Sequence, residues 1–196
     1  MVSRRGARHA ETRTRFIHIL GASGSGTTTL GQHIAGAIDA ESIDVDEFFW
    51  APTDPPYTTP RTPLERVQLL AQAVSRARRW VLSGCLCGWG DSLARQCDLA
   101  VFLTAPTVVR LERLRSRQHL RFGARIAHGG DMHQAHEAFL AWAARYDTGG
   151  VEQRSRELHE AWLAGLSCPV LRLDGTAAPT ELVRAILDHE SGVGSG

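Results

Sequence analysis

The sequence predicts an α/β protein in three layers, with a five-stranded parallel sheet between two layers of helices. Two observations lead to this fold class. Short apolar runs alternate with longer amphipathic runs, which is typical of a parallel sheet with helices on both faces. A glycine-rich loop separates the first strand from the first helix. The length of 196 residues fits one domain, which we place at residues 15–190, between tails at 1–14 and 191–196.

The strands are short runs that are apolar enough to be buried in a parallel sheet. They are predicted at residues 15–20, 41–46, 80–84, 98–103 and 169–173. The helices repeat apolar residues at steps of three and four. They are predicted at residues 29–38, 63–78, 106–122, 131–148, 151–166 and 179–189. Residues 51–63 hold five of the eight prolines and are predicted to be irregular.

Two helix starts carry local signals. Thr62 and Glu65 have the spacing of a capping box in front of the helix at 63–78. Asp131 is placed to cap a later helix. The apolar stripe of that later helix is predicted at Ala135, Phe139, Trp142 and Tyr146. We interpret the segment around it, residues 123–150, as a helical lid inserted between a helix and a strand.

The loop after the first strand fits the phosphate-binding pattern G-x-x-x-x-G-K-[ST] at every fixed position but one. Gly21 and Gly26 frame it, and Thr28 supplies the hydroxyl that holds Mg²⁺ in this motif. Glycines let backbone N–H groups turn inward, and the following helix adds its positive end. The predicted phosphate-binding residues are Gly21, Ala22, Ser23, Gly24, Ser25, Gly26, Thr27, Thr28 and Thr29.

Thr27 stands where the motif has lysine, whose charge reaches the β- and γ-phosphates. The chain contains no lysine, so all 22 basic residues are arginines, and arginines must supply the charge. Two alternatives stay open. The loop is either a simple turn between strand and helix, or a cradle that binds phosphate without catalysis.

An arginine cluster lies in the helix at 106–122 and just beyond it. Its members are Arg110, Arg113, Arg115, Arg117, Arg121 and Arg125. Arg110, Arg113, Arg117 and Arg121 follow steps of three and four and are predicted to share one face. Like charges stacked in this way repel unless an anion such as polyphosphate lies across them. The alternative is a solvated face relieved by acids such as Glu112.

Asp44 and Asp46 are predicted on one side of the second strand, near the loop. One carboxylate there can hold Mg²⁺ through water, and the other can accept a proton from an attacking hydroxyl. The alternative is a pair of solvated acids. Residues 48–50, all aromatic, either wall an acceptor pocket or pack on the proline-rich loop. Arg61 and Arg66 are either an acceptor clamp or surface arginines.

The cysteines Cys85, Cys87, Cys97 and Cys168 have neither C-x-x-C nor zinc-finger spacing. We expect reduced thiols in a cytoplasmic protein, with Cys85 and Cys87 pointing opposite ways if their segment is extended. Three histidines between 128 and 136 are interpreted as polar residues of the lid. A net charge of +1 and the lack of a membrane-length apolar run argue against nucleic-acid and membrane partners.

Three stretches together resemble the P-loop kinases of nucleoside monophosphates and small metabolites, such as adenylate and shikimate kinases. They read GASGSGTTTLG, then DVD followed by aromatics, then RLERLRSR leading into the lid. A closer likeness is to small bacterial adenylate kinase-like or topology-modulation-like proteins. The resemblance covers about residues 15–190 and implies the strand order 2-3-1-4-5. It does not identify the substrate.

The resemblance implies an ATP- and Mg²⁺-dependent kinase that acts on a small acceptor, perhaps a nucleotide. Thr28 and Asp44 would hold Mg²⁺, and Asp46 would bind or activate the acceptor. Arg113 and Arg117 match the two arginines before the adenylate kinase lid, which face adenine and phosphate. Arg145 or Arg154 would be a lid arginine. The alternative function is a nucleotide-binding regulatory or interaction protein with little or no phosphotransfer.

Overall fold

The computed structural model describes residues 15–193. Its strands are β1 (Phe16–Gly21), β2 (Glu41–Asp44), β3 (Trp80–Ser83), β4 (Leu99–Thr104) and β5 (Val170–Asp174). Its helices are α1 (Thr27–Ile38), α2 (Asp46–Phe49), α3 (Pro63–Arg76), α4 (Asp91–Ala94), α5 (Thr107–Phe122), α6 (His133–Ala144), α7 (Arg156–Ala164) and α8 (Pro179–Val193). Short 3₁₀ helices at Gly123–Ile126 and Arg145–Asp147 flank α6. None of the described helices is long and apolar enough to cross a membrane.

The strands form one parallel sheet in the order β2-β3-β1-β4-β5, with helices on both sides, which confirms the predicted fold class. β1 is the central strand, because Ile17 pairs with Val81 of β3 on one side and with Leu99 of β4 on the other. The loop that follows β1 therefore leaves the sheet at the middle of its carboxyl edge.

Side chains of β1 alternate between two apolar layers, one on each face of the sheet. Ile17 meets Ile34 of α1 and Ile186 of α8 on one face. Leu20 meets Leu163 of α7 on the other. Each of these side chains is almost fully buried and contributes about 1.5–3 kcal/mol relative to an exposed one. The central strand, and with it the start of the loop, is thus held from both sides.

The second strand ends two residues earlier than predicted. Val45 still donates its N–H to the Ser83 carbonyl, but the Asp46 N–H turns back to the Asp44 carboxylate at 3.0 Å. This local bond closes the strand, and Asp46 begins the short helix α2. The prediction that Asp44 and Asp46 share a side of one strand is therefore wrong, because strand alternation does not reach Asp46.

The predicted start of the helix after Asp131 is also wrong. The Asp131 carboxylate binds Arg125, and α6 follows Met132 without a side-chain cap.

The predicted apolar stripe of that helix is right in part. Phe139 and Trp142 pack against the buried cluster that α6 forms with α5, and Tyr146 is buried. Ala135, by contrast, is exposed.

Other helix ends follow local hydrogen bonds. The capping box of α3 is confirmed, with Thr62 and Glu65 bonded reciprocally. α7 starts later than predicted because the Ser155 hydroxyl accepts the Leu158 N–H and sets the first turn. α8 continues to Val193, past the predicted end. The tail at 1–14 and residues 194–196 lie outside the described residues.

Arg110 is a core residue, so the predicted four-arginine surface face is wrong. Its side chain is fully buried. The guanidinium donates to the carbonyls of Ala105 and Ala143 at 3.1 Å each and to the Asp147 carboxylate at 2.7 Å. It joins the start of α5 to the end of α6. A charge in this position is stable because Nε, Nη1 and Nη2 each donate a hydrogen bond to a protein oxygen.

Replacing Arg110 with alanine should lower the free energy of unfolding by about 3 kcal/mol or more, because two buried carbonyls and a carboxylate lose their donor. Urea titration followed by tryptophan fluorescence measures this. The matched control is Arg115→Ala on the exposed side of α5, where we expect a change within about 0.5 kcal/mol. Equal losses in the two variants would contradict the anchoring role.

His18 is the polar residue at the centre of β1. It is fully buried, and its Nε2 pairs with the Gly84 carbonyl at 2.9 Å, while its ring meets the edge of Trp162. Burial lowers its pKa to about 4 from the usual 6.5, against a smaller raising effect of the Gly84 hydrogen bond. The folded protein therefore holds neutral His18 at neutral pH.

Because the folded pKa lies below the unfolded one, the unfolded chain binds more protons between pH 6.5 and about 4. The stability contributed by neutral His18 is complete above this window and should fall by about 3 kcal/mol as the pH drops through it. His18→Gln retains a donor for Gly84 but does not titrate. The stability advantage of the wild type over this variant should shrink from pH 7 to pH 4, and a constant difference would refute the assignment.

Candidate active site

The loop between β1 and α1 has the backbone of a phosphate cradle. Gly24 and Gly26 have φ of +83° and +104°, which favour glycine. A Cβ at Gly24 would lie 2.5 Å from the Arg110 carbonyl oxygen, so the loop packs directly on α5. Gly26 is the residue before α1, whose first-turn N–H groups open toward the loop. The structure thus places residues 21–29 in the predicted strand, loop and helix arrangement.

Thr28 and Asp44 meet at the foot of this loop. The Thr28 hydroxyl donates to Asp44 Oδ2 at 3.0 Å, and the other carboxylate oxygen of Asp44 accepts the Asp46 N–H. A hydroxyl and a carboxylate oxygen are hard donors of the kind that Mg²⁺ prefers. The residue types and their proximity therefore fit the predicted Mg²⁺ ligands, which the sequence separates by 16 positions.

Two arginines reach the loop from other elements. Arg113 of α5 donates to the Gly175 carbonyl at 2.9 Å and to the Ser25 carbonyl at 3.4 Å. Arg154, which precedes α7, donates to the Gly21 carbonyl at 2.9 Å. The Nε atom of Arg154 is buried and has no hydrogen-bond partner among the described residues. Positive charge thus flanks both ends of the loop, whose own residues 21–29 include no basic side chain.

Asp46 lies near the acidic side chain of Asp44 and the positively charged side chains of Arg154 and Arg117. It is reachable by solvent, but the surrounding protein displaces water and raises its pKa above the usual value. Arg154 and Arg117 oppose this rise, while the charge of Asp44 adds to it. Arg117 is itself exposed on α5. Asp46 is therefore a carboxyl group whose protonation depends on the charges around it.

A groove of about 770 Å³ runs along the exposed side of α5. It is lined by Val109, Glu112, Arg113, Ser116, Arg117, Leu120 and Arg121. Thr28 and Asp44 do not line it, so this groove and the loop are separate features that Arg113 joins. We base the site on the loop, because the hydrogen bonds and the acid pair lie there.

The remaining arginines of the predicted clusters have other partners. Arg121 donates to the Tyr57 hydroxyl, and Arg125 binds Asp54 and Asp131. Arg61 donates to the carbonyls of residues 47, 48 and 50 in and just after α2. Arg66 lies 3.6 Å from the centre of the Phe49 ring. Arg61 and Arg66 thus hold the segment that begins at Asp46, which favours a supporting role over an acceptor clamp.

A cluster of two cysteines and a histidine beyond β3 was not predicted from the sequence. Cys85 and Cys87 lie in a turn rather than an extended segment, and both sulfur atoms approach His159 of α7. Hydrogen bonding with Cys87 and with His159 lowers the pKa of the Cys85 thiol, against the effect of burial, and the hydrogen bond with Cys85 raises the pKa of Cys87. His159 is 74 residues from Cys85, so no spacing in the sequence points to it.

A parallel sheet of order 2-3-1-4-5 with a phosphate-type loop after its central strand defines a P-loop kinase fold. Solved structures agree. Shikimate kinase from Acinetobacter baumannii in complex with shikimate matches with a TM-score of 0.57 at 16% identity, covering 94% of this chain and 97% of that one. Shikimate kinase from Aquifex aeolicus matches with a TM-score of 0.50 at 17% identity, covering 92% and 99%. At these identities the likeness shows the fold alone.

Sequence comparison gives the family. A family model described as an AAA domain matches residues 17–123, and the chain belongs to that family. A relative from Bacillus subtilis (strain 168), the uncharacterized protein YqaC, is 43% identical over 175 residues. The match covers 89% of this chain and 97% of that relative. The two proteins thus share nearly their whole length.

Proposed function

We propose that this protein is an ATP- and Mg²⁺-dependent phosphotransferase that moves the γ-phosphoryl group to a small acceptor. The observation that carries the proposal is the contact between Thr28 and Asp44 at 3.0 Å beneath a glycine loop flanked by Arg113 and Arg154. The kinase fold supports it. Candidate acceptors are nucleotides and other small metabolites.

In this proposal, the loop and the neighbouring arginines bind the phosphates. Backbone N–H groups of residues 21–29 and the start of α1 would surround the phosphates. Mg²⁺ held by Thr28 and Asp44 would neutralise charge on the β- and γ-phosphates. Arg154 would supply the charge that the motif lysine normally brings, since its Nε is buried and unpartnered beside the loop. Arg113 and Arg117 would face the nucleotide from α5, and the segment at 123–150 would exclude water as a lid.

Transfer itself needs an acceptor oxygen, a base and a leaving group. The acceptor oxygen attacks the γ-phosphorus, and the bond from that phosphorus to the β–γ bridging oxygen breaks. The electron pair leaves with ADP, and the acceptor proton passes to the Asp46 carboxylate. Arg117 and Arg154 favour the ionised form of Asp46 that this step requires. Most of the rate enhancement would come from positioning and charge stabilisation.

Arg154→Ala should weaken ATP–Mg²⁺ binding by about 10-fold or more, since a charged hydrogen bond is worth about 1.5–3 kcal/mol. Isothermal calorimetry measures the dissociation constant directly. Arg145→Ala is the matched control, because Arg145 is exposed on the same connection before α7, and we expect it to bind ATP as the wild type does. Unchanged affinity in Arg154→Ala would remove this arginine from the phosphate site.

Asp46→Asn should lower kcat by about 10²–10⁴-fold toward any acceptor that the wild type phosphorylates, while ATP affinity stays the same. Glu47→Gln on the same short helix is the control and should remain within about twofold. The wild-type rate should fall as the pH drops through the raised pKa of Asp46, because only the carboxylate accepts a proton. An acid limb that persists in Asp46→Asn would contradict the base role.

A second candidate, a nucleotide-binding regulatory or interaction protein, is favoured by Thr27 alone. Release of ADP across a broad acceptor panel distinguishes the two. Acceptor-dependent ADP supports the kinase, whereas tight ATP binding without turnover supports the second candidate. Thr27→Lys sharpens the result. A large gain in turnover indicates a site that lost its lysine, and a loss indicates a site rebuilt around arginine.

A further inference from the structure

Two sulfur atoms and one imidazole nitrogen converge beside the carboxyl ends of the strands. A sulfur atom from each of Cys85 and Cys87 and a ring nitrogen of His159 all lie within 4.8 Å of one another. It is the one such group of three that the described residues contain. In a tetrahedral zinc site the sulfur and nitrogen ligands lie about 2.3 and 2.0 Å from the ion. Neighbouring ligand atoms are then roughly 3.5–4 Å apart, so small side-chain movements suffice to close this cluster around one ion.

We propose that Cys85, Cys87 and His159 form a binding site for a thiolate-preferring divalent cation of the Zn²⁺ class. Two thiolates and one imidazole match the three-ligand sets of zinc sites that keep a fourth position for water or a ligand. The choice of cation follows from the ligand types, since thiolates disfavour Mg²⁺ and Ca²⁺. The proposal is independent of the phosphotransferase assignment.

The orientation of His159 is already fixed. Its ring is fully buried, and Nδ1 pairs with the Tyr146 hydroxyl at 2.8 Å. Nε2 lies 3.3 Å from the Cys85 sulfur. When Nδ1–H donates to the Tyr146 oxygen, the lone pair of Nε2 faces the two thiols. A hydrogen-bond partner on the ring nitrogen that does not bind the metal sets the tautomer and orientation of metal-binding histidines.

The backbone brings the two cysteines to the same point. Gly84 has φ of +118°, and a Cβ there would lie 2.2 Å from a methyl carbon of Val45, so the chain turns sharply as it leaves β3. The Cys85 carbonyl accepts the indole N–H of Trp89 at 3.0 Å, which closes the turn around Cys87. Cys97 and Cys168, by contrast, belong to the apolar cluster on that face of the sheet.

The cluster also has a functional position. β3 lies between β2, which ends at Asp44, and β1, which ends at the phosphate loop. Cys85 follows β3 after the turn at Gly84, so a cation there would lie at the same carboxyl edge as the acid pair and the loop. The fourth coordination position would then lie near the region where small ligands bind in open α/β sheets.

Cobalt titration of the full-length protein tests the site. The protein is purified, reduced and stripped with a chelator, and Co²⁺ is then added. We expect one equivalent to bind with the sulfur-to-cobalt charge-transfer and ligand-field bands of a tetrahedral thiolate site, and Zn²⁺ to bleach these bands. Excess Mg²⁺ should leave them unchanged, which separates this site from the one at Thr28 and Asp44.

Cys85→Ser, Cys87→Ser and His159→Gln should each weaken Co²⁺ binding by at least 10-fold, while Cys97→Ser and Cys168→Ser keep it. Tyr146→Phe removes only the hydroxyl that pairs with His159 Nδ1. It should weaken Co²⁺ binding by about 10–100-fold, which keeps the test valid if a variant of a ligand residue fails to fold. Absence of the bands in the reduced wild type overturns the proposal. So does their survival in Cys85→Ser.

Discussion

The lack of a basic residue in the loop at residues 21–29 is the constraint on which the rest of the proposed site depends. A phosphate cradle without an internal cation must receive its charge from other elements, and guanidinium groups need fixed carbonyls to hold them there. Arg113 is fixed by the Gly175 carbonyl after β5, and Arg154 by the Gly21 carbonyl at the end of β1. The loop, α5 and the connection before α7 are thereby tied together. In a lysine-containing loop, the same charge would move with the loop itself.

The arginine-rich helix α5 also stabilises the fold, and burial distinguishes its structural arginine from the arginines of the proposed site. Arg110 is buried between α5 and α6, where each of its guanidinium nitrogens donates to an oxygen, whereas Arg117 is exposed near Asp46. Helical spacing places both on one face in projection. The two arginines differ in exposure because α6 packs on α5 through contacts such as Leu114 with Leu140, and Arg110 is covered by this packing while Arg117 is not.

The sheet and the loop were predictable because their signals are local. Apolar strand runs, the spacing from Gly21 to Thr28 and the Thr62–Glu65 capping box each act within a few residues. The acid pair was only partly predictable, because the Asp44 side chain ends the strand through its own hydrogen bond to the Asp46 N–H. The cluster at Cys85 depends on a ring from α7, so only the folded chain brings it together.

The geometry of Asp44 and Asp46 gives two adjacent carboxyl groups different chemistry. Asp44 accepts a hydroxyl and a backbone N–H, so both of its oxygens are held in a fixed, acceptor-only arrangement suited to a cation. Asp46 starts a helix, and the protein around it raises its pKa, partly through the charge of Asp44. In the proposed reaction, Asp44 would hold the cation and Asp46 would accept the proton. Since Arg61 and Arg66 bind the segment that begins at Asp46, this difference is built into the fold.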